Sequence, residues 1–416
     1  MTTRIGMAVH GLFTIFFQRE TFLKKSGNST IRSATLLKRP TDFIQEMSSN
    51  RRILIYYPFN GKAVAIESKA EMLIRLNYEV FLLTWAPRGE LHKRCDAIGV
   101  KTFSTAKAKQ HGGVLFFVYQ TKQLLSFCKK NEIRLLFAHF QSVAMVAGIA
   151  NYFRKVRVVY FRHNSDYFEL RNSRKELFFN KMANKLSETI IAISDNVYTQ
   201  LLKEGVDAKK IKRINLAYDF TKYGRPDLAI AASIRDEYKA NILLLAAARL
   251  DALKRHKDIF QVVKALCDKG IDCKLICVGD GPLKGELEKW IEENRMKGKI
   301  ILKGFVHNVI DYLAACDLLI HLSYSEASNQ VVKEAGICRK AVIACKGVGN
   351  FEEYLEDNVN AFLVDKESPV DPSIEILAKY AGDKAHLTEL GQNLYDTVIA
   401  KFDISSVVGD YKALLQ

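Results

Sequence analysis

Glu326 and Glu334 lie eight positions apart in SEASNQVVKE, on either side of a change from small polar residues to an apolar run. A carboxylate accepts two hydrogen bonds in parallel, which suits the paired hydroxyls of a ribose or a hexose. Between the two, Ser328 is placed to cap a helix running from about Asn329 to Cys338. The free N–H groups and positive dipole end of such a helix form an anion site. The glutamates can therefore be two hydroxyl grips beside a phosphate cradle rather than an acid/base couple. They can also be ordinary surface carboxylates, favoured near a helix N-terminus by its dipole.

Two further stretches carry chemistry. ARLDALKRH holds Arg249 and Lys254, five positions apart. A planar fork of donors and a compact ammonium just beyond a strand can clamp a diphosphate, or can simply belong to a solvated loop. VGDGPLKGEL holds Gly279 and Gly281, which permit a tight turn with close backbone approach.

These residues need strands behind them. From Arg52 onward, short apolar runs recur with helical segments between most of them: RILIYY, EVFLLT, RLLFAH, VRVVYF, TIIAIS and IKRIN. Continuous Val/Ile/Leu runs are the pattern of parallel strands buried on both faces. Their alternation with helices predicts α/β units wound on both sides of a sheet. The rhythm breaks over about 216–240 and restarts at NILLLAAA, followed by DCKLICVG, KIILKG, DLLIHLS, AVIAC and AFLV. The expectation is an α/β chain of two Rossmann-like, doubly wound domains over 51–220 and 241–384. A hinge at 221–240 would join them, and a helical tail at 385–416 would end the chain. In such proteins ligands bind beyond the carboxyl ends of the strands, and the candidate residues fall there.

Composition narrows the setting. Residues 1–220 carry 36 Lys and Arg against 17 Asp and Glu, a net +19, whereas 221–416 carry 26 against 29, a net −3. A basic half suggests nucleic acid, an anionic membrane surface or an anionic substrate, unless it is only a lysine-rich soluble surface. No helix-turn-helix, zinc ligand set or aromatic-rich RNA motif supports nucleic acid. None of the eight cysteines forms a CxxC pair, and most sit among apolar residues, which reads as buried thiols in a reducing compartment. No run of 18 apolar residues is present, so no spanning helix is expected. Residues 1–50 read as a loosely ordered extension, in which Phe13, Phe16 and Phe17 have helical spacing suited to interfacial docking. A start site placed too early, with Met47 just ahead of the first strand, explains the same stretch.

As an ensemble, ARLDALKRHKD, VGDGPLKGELE, GFVHNVIDYLAACDLLIHLSYSEASNQVVKEAG, AVIAC and NVNAFLV resemble the family 4 retaining glycosyltransferases of the GT-B fold. Glu326 and Glu334 match that family's Glu-x7-Glu element, and Arg249 and Lys254 its paired diphosphate-binding cations. The first half resembles it more loosely. RILIYYPFNG is similar to the first strand and acceptor-side loop, with Asn60 and Gly61. VVYFRHNSD is similar to the strand ending in the active-site histidine, here His163. INLAYDF keeps Asp219 of a common turn but lacks its glycine. Ala327-Ser328-Asn329 stands where the family commonly has Gly-Phe-Gly, and Leu253 replaces a frequent acidic residue; both departures bear on the donor sugar's identity.

The resemblance implies two facing domains that move a sugar from a UDP- or GDP-sugar to a glycan or lipid-linked acceptor. Polysaccharide or lipopolysaccharide assembly on the cytoplasmic side of the inner membrane is the implied setting, the basic domain resting on anionic lipid. Arg249 and Lys254 would neutralise the leaving diphosphate, Glu334 would hold the ribose, and Glu326 and His163 would contact the sugar. Gly279, Gly281, Ser328 and Asn329 would complete the donor site. With cations on the protein and no Asp-x-Asp at a strand end, no catalytic metal and no resident cofactor are expected. Two alternatives share the architecture: a sugar-nucleotide 2-epimerase, and a non-catalytic sugar-nucleotide or glycan-binding partner. A dinucleotide-dependent dehydrogenase is disfavoured because no Gly-x-Gly-x-x-Gly follows the first strand.

Overall fold

The apolar runs pair into two parallel sheets. The computed structural model describes residues 51–106, 113–170 and 173–416. The extension expected over 1–50, with its phenylalanines, lies outside the described residues.

In the first sheet the strands are β1 (Arg52–Tyr57), β2 (Glu79–Thr84), β3 (Lys101–Ser104), β4 (Leu135–His139), β5 (Arg157–Arg162), β6 (Thr189–Ala192) and β7 (Ile211–Arg213). They lie in the order β3-β2-β1-β4-β5-β6-β7. The second contains β8 (Ile242–Ala247), β9 (Cys273–Val278), β10 (Ile300–Gly304), β11 (Leu318–His321), β12 (Ala341–Cys345) and β13 (Phe362–Val364). Their order is β10-β9-β8-β11-β12-β13. Each sheet reverses direction beside its first strand, between β1 and β4 and between β8 and β11. At such a switch point the flanking loops part and leave a crevice.

Burial explains the uninterrupted runs. In β1, Leu54 and Tyr56 enter one core with Leu136 and Tyr160. Ile53 and Ile55 point to the other face and pack with Phe137, Val159 and Ile191. Both faces are covered over Ile53–Tyr56, so no position there is left for a charged residue. The edge strand β3 was not legible in the sequence for the opposite reason. It spans four residues, KTFS, and only Thr102 is buried.

The C-terminal segment is helical as expected, and the joining segment is partly helical as well. Within 221–240 residues Leu228–Glu237 form a helix, capped by Asp227, whose Ala231 and Ile234 are buried in the second-domain core. The C-terminal tail serves both domains. Helix Lys384–Phe402 buries Leu390, Leu394 and Val398 in the second core. Helix Val408–Leu415 returns to the first, where Tyr411 and Leu414 cover the β1/β4/β5 face and the Leu414 carbonyl accepts from Arg157 Nη2 at 2.9 Å. All eight cysteines are free thiols, six of them buried.

Candidate active site

The two switch points face each other across a cleft of about 680 Å³. Its second-domain wall includes Arg249, from the loop after β8, together with Lys254 and Glu326, the last from the loop after β11. Across from them stand His163, following β5, and an aromatic group of Phe59, Trp85 and Phe140. Four residues separated by up to 163 positions in the chain thus meet at one place: His163, Arg249, Lys254 and Glu326.

Glu326 is bonded on two sides. Lys254 Nζ forms an ion pair with its Oε1, and His321 Nε2 lies 2.8 Å from the same oxygen. Burial alone would raise its carboxyl, but the His321 hydrogen bond and the Lys254 charge outweigh that and hold it at about 2. Gly349, at φ +59°, makes this placement feasible. A Cβ there would sit 2.7 Å from the Glu326 Cβ. Arg249, by contrast, is exposed and has no ion pair among the described residues, so its fork is available to an anion.

The helix after Glu326 runs Gln330–Ile337 and its cap is Asn329, whose side chain accepts from the Val332 N–H at 2.9 Å. This corrects Ser328 as the expected cap. Asn is at least as good a cap, and the Ser328 hydroxyl is instead occupied by Lys333 Nζ at 2.8 Å. Lys333 is buried, also donates to the Asn329 carbonyl at 2.8 Å, and lies over the Phe402 ring. Burial lowers its ammonium to about 7, even with Glu353 and Glu326 nearby.

Glu334 occupies the second turn of that helix, buried, and accepts from Gln330 Nε2 at 2.7 Å. It does not border the cleft described above. Burial raises its carboxyl to about 7, with the Lys62 charge pulling the other way. Gly279 and Gly281 also stand back from the cleft. A Cβ on Gly279 would meet the Ala248 carbonyl at 2.0 Å, and one on Gly281 the Leu250 carbonyl at 2.4 Å. Their bareness lets the turn press against the backbone that carries Arg249. Asn60 donates to the Pro87 carbonyl at 3.0 Å and Gly61 is exposed, so this loop borders the cleft through Pro58 and Phe59 instead. Asp219 is buried in the crossing segment, where its carboxylate accepts from the Thr221 N–H at 3.1 Å.

His163 ends a chain of nitrogen atoms that the sequence did not disclose. Its Nε2 is 2.7 Å from His139 Nδ1, and His139 Nε2 is 3.3 Å from Lys69 Nζ. Lys69 is buried with its nitrogen 3.4 Å from the centre of the Phe161 ring. Burial, reinforced by Lys69, pushes the His163 imidazolium down to about 3, so the ring is neutral at pH 7 and keeps one N–H to donate. Phe140 stacks on it at 4.7 Å from a backbone with φ +70°. A phenylalanine rarely holds that conformation, and strained residues of this kind cluster at functional sites.

The loop after β5 also ties the domains together. Ser165 Oγ donates to the Glu326 carbonyl at 2.9 Å, and Ser325 Oγ to Asp166 Oδ1 at 2.7 Å. Arg162, fully buried, braces that loop by donating to the Asn164 carbonyl at 2.8 Å while pairing with Glu204 at 2.6 Å. Among the described residues no group of three His, Cys, Asp or Glu side chains is placed to hold a metal ion.

The family model described as glycosyltransferase family 4 matches residues 59–222, and that of glycosyl transferases group 1 matches 232–396. Together they take in well over half of the chain. The chain belongs to the family 4 glycosyltransferases, with the GT-B fold. This glycosyltransferase is 24% identical over 343 residues to an uncharacterized glycosyltransferase of Methanocaldococcus jannaschii, covering 82% of this chain and 90% of that one. A second relative is a Campylobacter jejuni enzyme named N-acetylgalactosamine-N,N'-diacetylbacillosaminyl-diphospho-undecaprenol 4-alpha-N-acetylgalactosaminyltransferase. It is 28% identical over 163 residues, which is 39% of this chain and only 42% of that enzyme. In three dimensions the glycosyltransferase resembles Anabaena HepE solved with UDP and glucose, with a TM-score of 0.74 and 21% identity, covering 87% of this chain and 98% of that one. These relatives give no support to the epimerase alternative.

Proposed function

We propose that this glycosyltransferase moves a sugar from a UDP-sugar to a glycan or lipid-linked acceptor, with retention at the anomeric carbon and without a metal ion. One observation carries the reading: Arg249, Lys254 and Glu326 converge on a cleft that His163 closes from the other domain. As the bond between the anomeric carbon and the diphosphate breaks, negative charge grows on the leaving oxygen. Fixed cations there stabilise the transition state more than the ground state. They can also supply what a divalent ion would supply, which supports the metal-independent reading. Glu326 accepts sugar hydroxyls and the His163 N–H donates to one; Glu334, in the second turn of the helix behind Glu326, keeps the ribose role that the resemblance implies. The acceptor oxygen bonds to the anomeric carbon from the face the diphosphate leaves, and its proton passes to the departing phosphate oxygen.

The UDP preference rests on HepE, solved with UDP. The lipid-linked acceptor rests on the Campylobacter relative, whose name includes a diphospho-undecaprenol substrate. Cell-surface polysaccharide synthesis is the setting the resemblance favours. A screen of UDP- and GDP-sugars by thermal shift tests the donor. A ligand at a hundredfold excess over Kd adds about 2.7 kcal/mol. Proton NMR of the product should then show the donor's own anomeric configuration, and turnover should persist in excess EDTA. Inversion of configuration, or rescue of a chelated enzyme by magnesium, would contradict the mechanism.

The basic first half supports docking on anionic lipid at the inner face of the membrane. No helix among the described residues is long and apolar enough to cross it. Each Lys or Arg near such a surface contributes on the order of 1 kcal/mol, screened by salt. Flotation with liposomes is expected to rise with phosphatidylglycerol content and fall with added salt; equal recovery on neutral vesicles would remove the membrane from the proposal.

A further inference from the structure

The charge of the cleft is divided between its walls. Both cations, Arg249 and Lys254, belong to the second domain. The first-domain wall, from a half of the chain with net +19, contributes no Lys or Arg among the described residues. What it contributes is Phe59, Trp85 and Phe140, the amides Gln141 and Asn164, and one carboxylate, Glu176.

These groups form a coherent surface. Phe59 is 54% exposed and meets Phe140 edge to face at 5.3 Å. Gln141, 5% exposed, donates from Nε2 to Glu176 Oε2 at 2.7 Å. That bond fixes the amide's orientation and leaves Gln141 Oε1 buried with no partner. Both polar atoms of the Asn164 side chain are buried without a partner as well. Buried polar atoms are normally satisfied, and orphans grouped at a cleft call for a ligand that carries hydroxyls or amides. The exposed ring of Phe59 suits the C–H face of a pyranose. Among the described residues Glu176 makes no ion pair, and a carboxylate so placed repels a phosphate or a second carboxylate.

We infer that the acceptor presents an uncharged glycosyl ring to the reaction centre, seated against Phe59 and Phe140 with Gln141, Asn164 and Glu176 on its hydroxyls. This deepens the reading given under Proposed function and rests on it. Any phosphate of the acceptor then lies outside the cleft, where the basic surface of the first domain is free to meet it. The positive charge of that domain serves the carrier or membrane, and the specificity for the reacting unit is that of a neutral sugar.

The test uses the full chain and the UDP-sugar that the donor screen selects. Octyl β-glycosides of glucose, galactose and their 2-acetamido forms are compared with malate and ribitol 5-phosphate as acceptors. At least one glycoside is expected to accept about tenfold faster than either anion, a difference that one unpaired like charge in a cleft readily produces. Phe59→Ala should raise the KM for the glycoside about threefold to tenfold and leave UDP affinity unchanged. Glu176→Gln keeps an acceptor for Gln141 and should improve the two anions relative to the glycoside. Faster transfer to malate or ribitol 5-phosphate, or a glycoside KM that Phe59→Ala does not move, would overturn the inference while leaving donor chemistry intact. If no nucleotide sugar binds, the donor reading itself falls and the inference falls with it.

Discussion

Lys254→Ala is expected to weaken nucleoside diphosphate binding by about tenfold to a hundredfold and to lower turnover further. A charge-assisted hydrogen bond contributes roughly 1.5–3 kcal/mol, which sets the affinity loss. The additional loss arises because Lys254 pairs with Glu326, and both side chains are mostly buried, at 20% and 11% exposure. Removing the ammonium leaves a buried carboxylate held by His321 alone, and the grip on the donor sugar loosens. Melting temperature should fall as well, by a few degrees. Arg249→Ala provides the contrast. Arg249 is exposed with no ion pair among the described residues, so its loss should cut affinity at constant melting temperature. Acid titration adds a second signature. The Glu326 carboxyl lies below its ordinary 4.5, at about 2. Its pairing therefore stabilises the fold above pH 4.5 and is lost as pH falls through about 2. Lys254→Ala should flatten that acid limb. Calorimetry showing wild-type affinity in both mutants would remove the two cations from the site.

Glu326→Gln and Glu334→Gln are expected to fail in different ways. Glu334 is assigned to the ribose, which donor and free UDP share, so its mutant should lose affinity for both by similar factors. Glu326 is assigned to the transferred sugar, which UDP lacks. Its mutant should bind UDP nearly normally and lose turnover by about a hundredfold, because contacts that tighten in the transition state act on kcat. Misfolding does not confound Glu334→Gln. Burial raises the Glu334 carboxyl to about 7, so its ionisation destabilises the fold as pH rises from 4.5 through 7. An uncharged Gln removes that cost, and the variant should be at least as stable as wild type at pH 8. Wild-type UDP affinity should also gain more than that of Glu334→Gln as pH rises through 7, since only the carboxylate offers two full acceptors. Lys333 titrates in the same window, at about 7, and the difference between the two proteins cancels its effect. Two mutants indistinguishable from wild type in both affinity and turnover would reduce the pair to a surface feature.

Some of these residues announced themselves in the sequence because their role is local. Arg249, Lys254 and Glu326 each follow an apolar run by a few positions, and a strand end in an open parallel sheet is where ligands bind. The aromatic wall had no such signal. Phe59, Trp85, Phe140 and Glu176 are common residue types, scattered over 118 positions and gathered only by the fold. Phe140 directly follows the run RLLFAH, and its positive φ is visible only in three dimensions. The chain from Lys69 through His139 to His163 was equally hidden, since a lysine at 69 in the helix Val64–Arg75 reads as surface charge.

Strand identity was determined locally. Runs such as ILLLAA at β8 have no polar position because helices cover both faces, and that constraint is written residue by residue. Cap chemistry, hinge extent and the destination of the last helix were decided by tertiary contact. Lys333 engages the Ser328 hydroxyl and Asn329 takes the cap. Ala231 and Ile234 find the second core, so much of the expected hinge is helix. Tyr411 and Leu414 cover the first sheet rather than the second. The charge of the cleft belongs to this second class. Net charge is a property of the whole chain, whereas the field at a reacting atom depends on which few side chains lie within several ångströms of it. A first half with net +19 accordingly builds a wall whose one charged side chain among the described residues is Glu176.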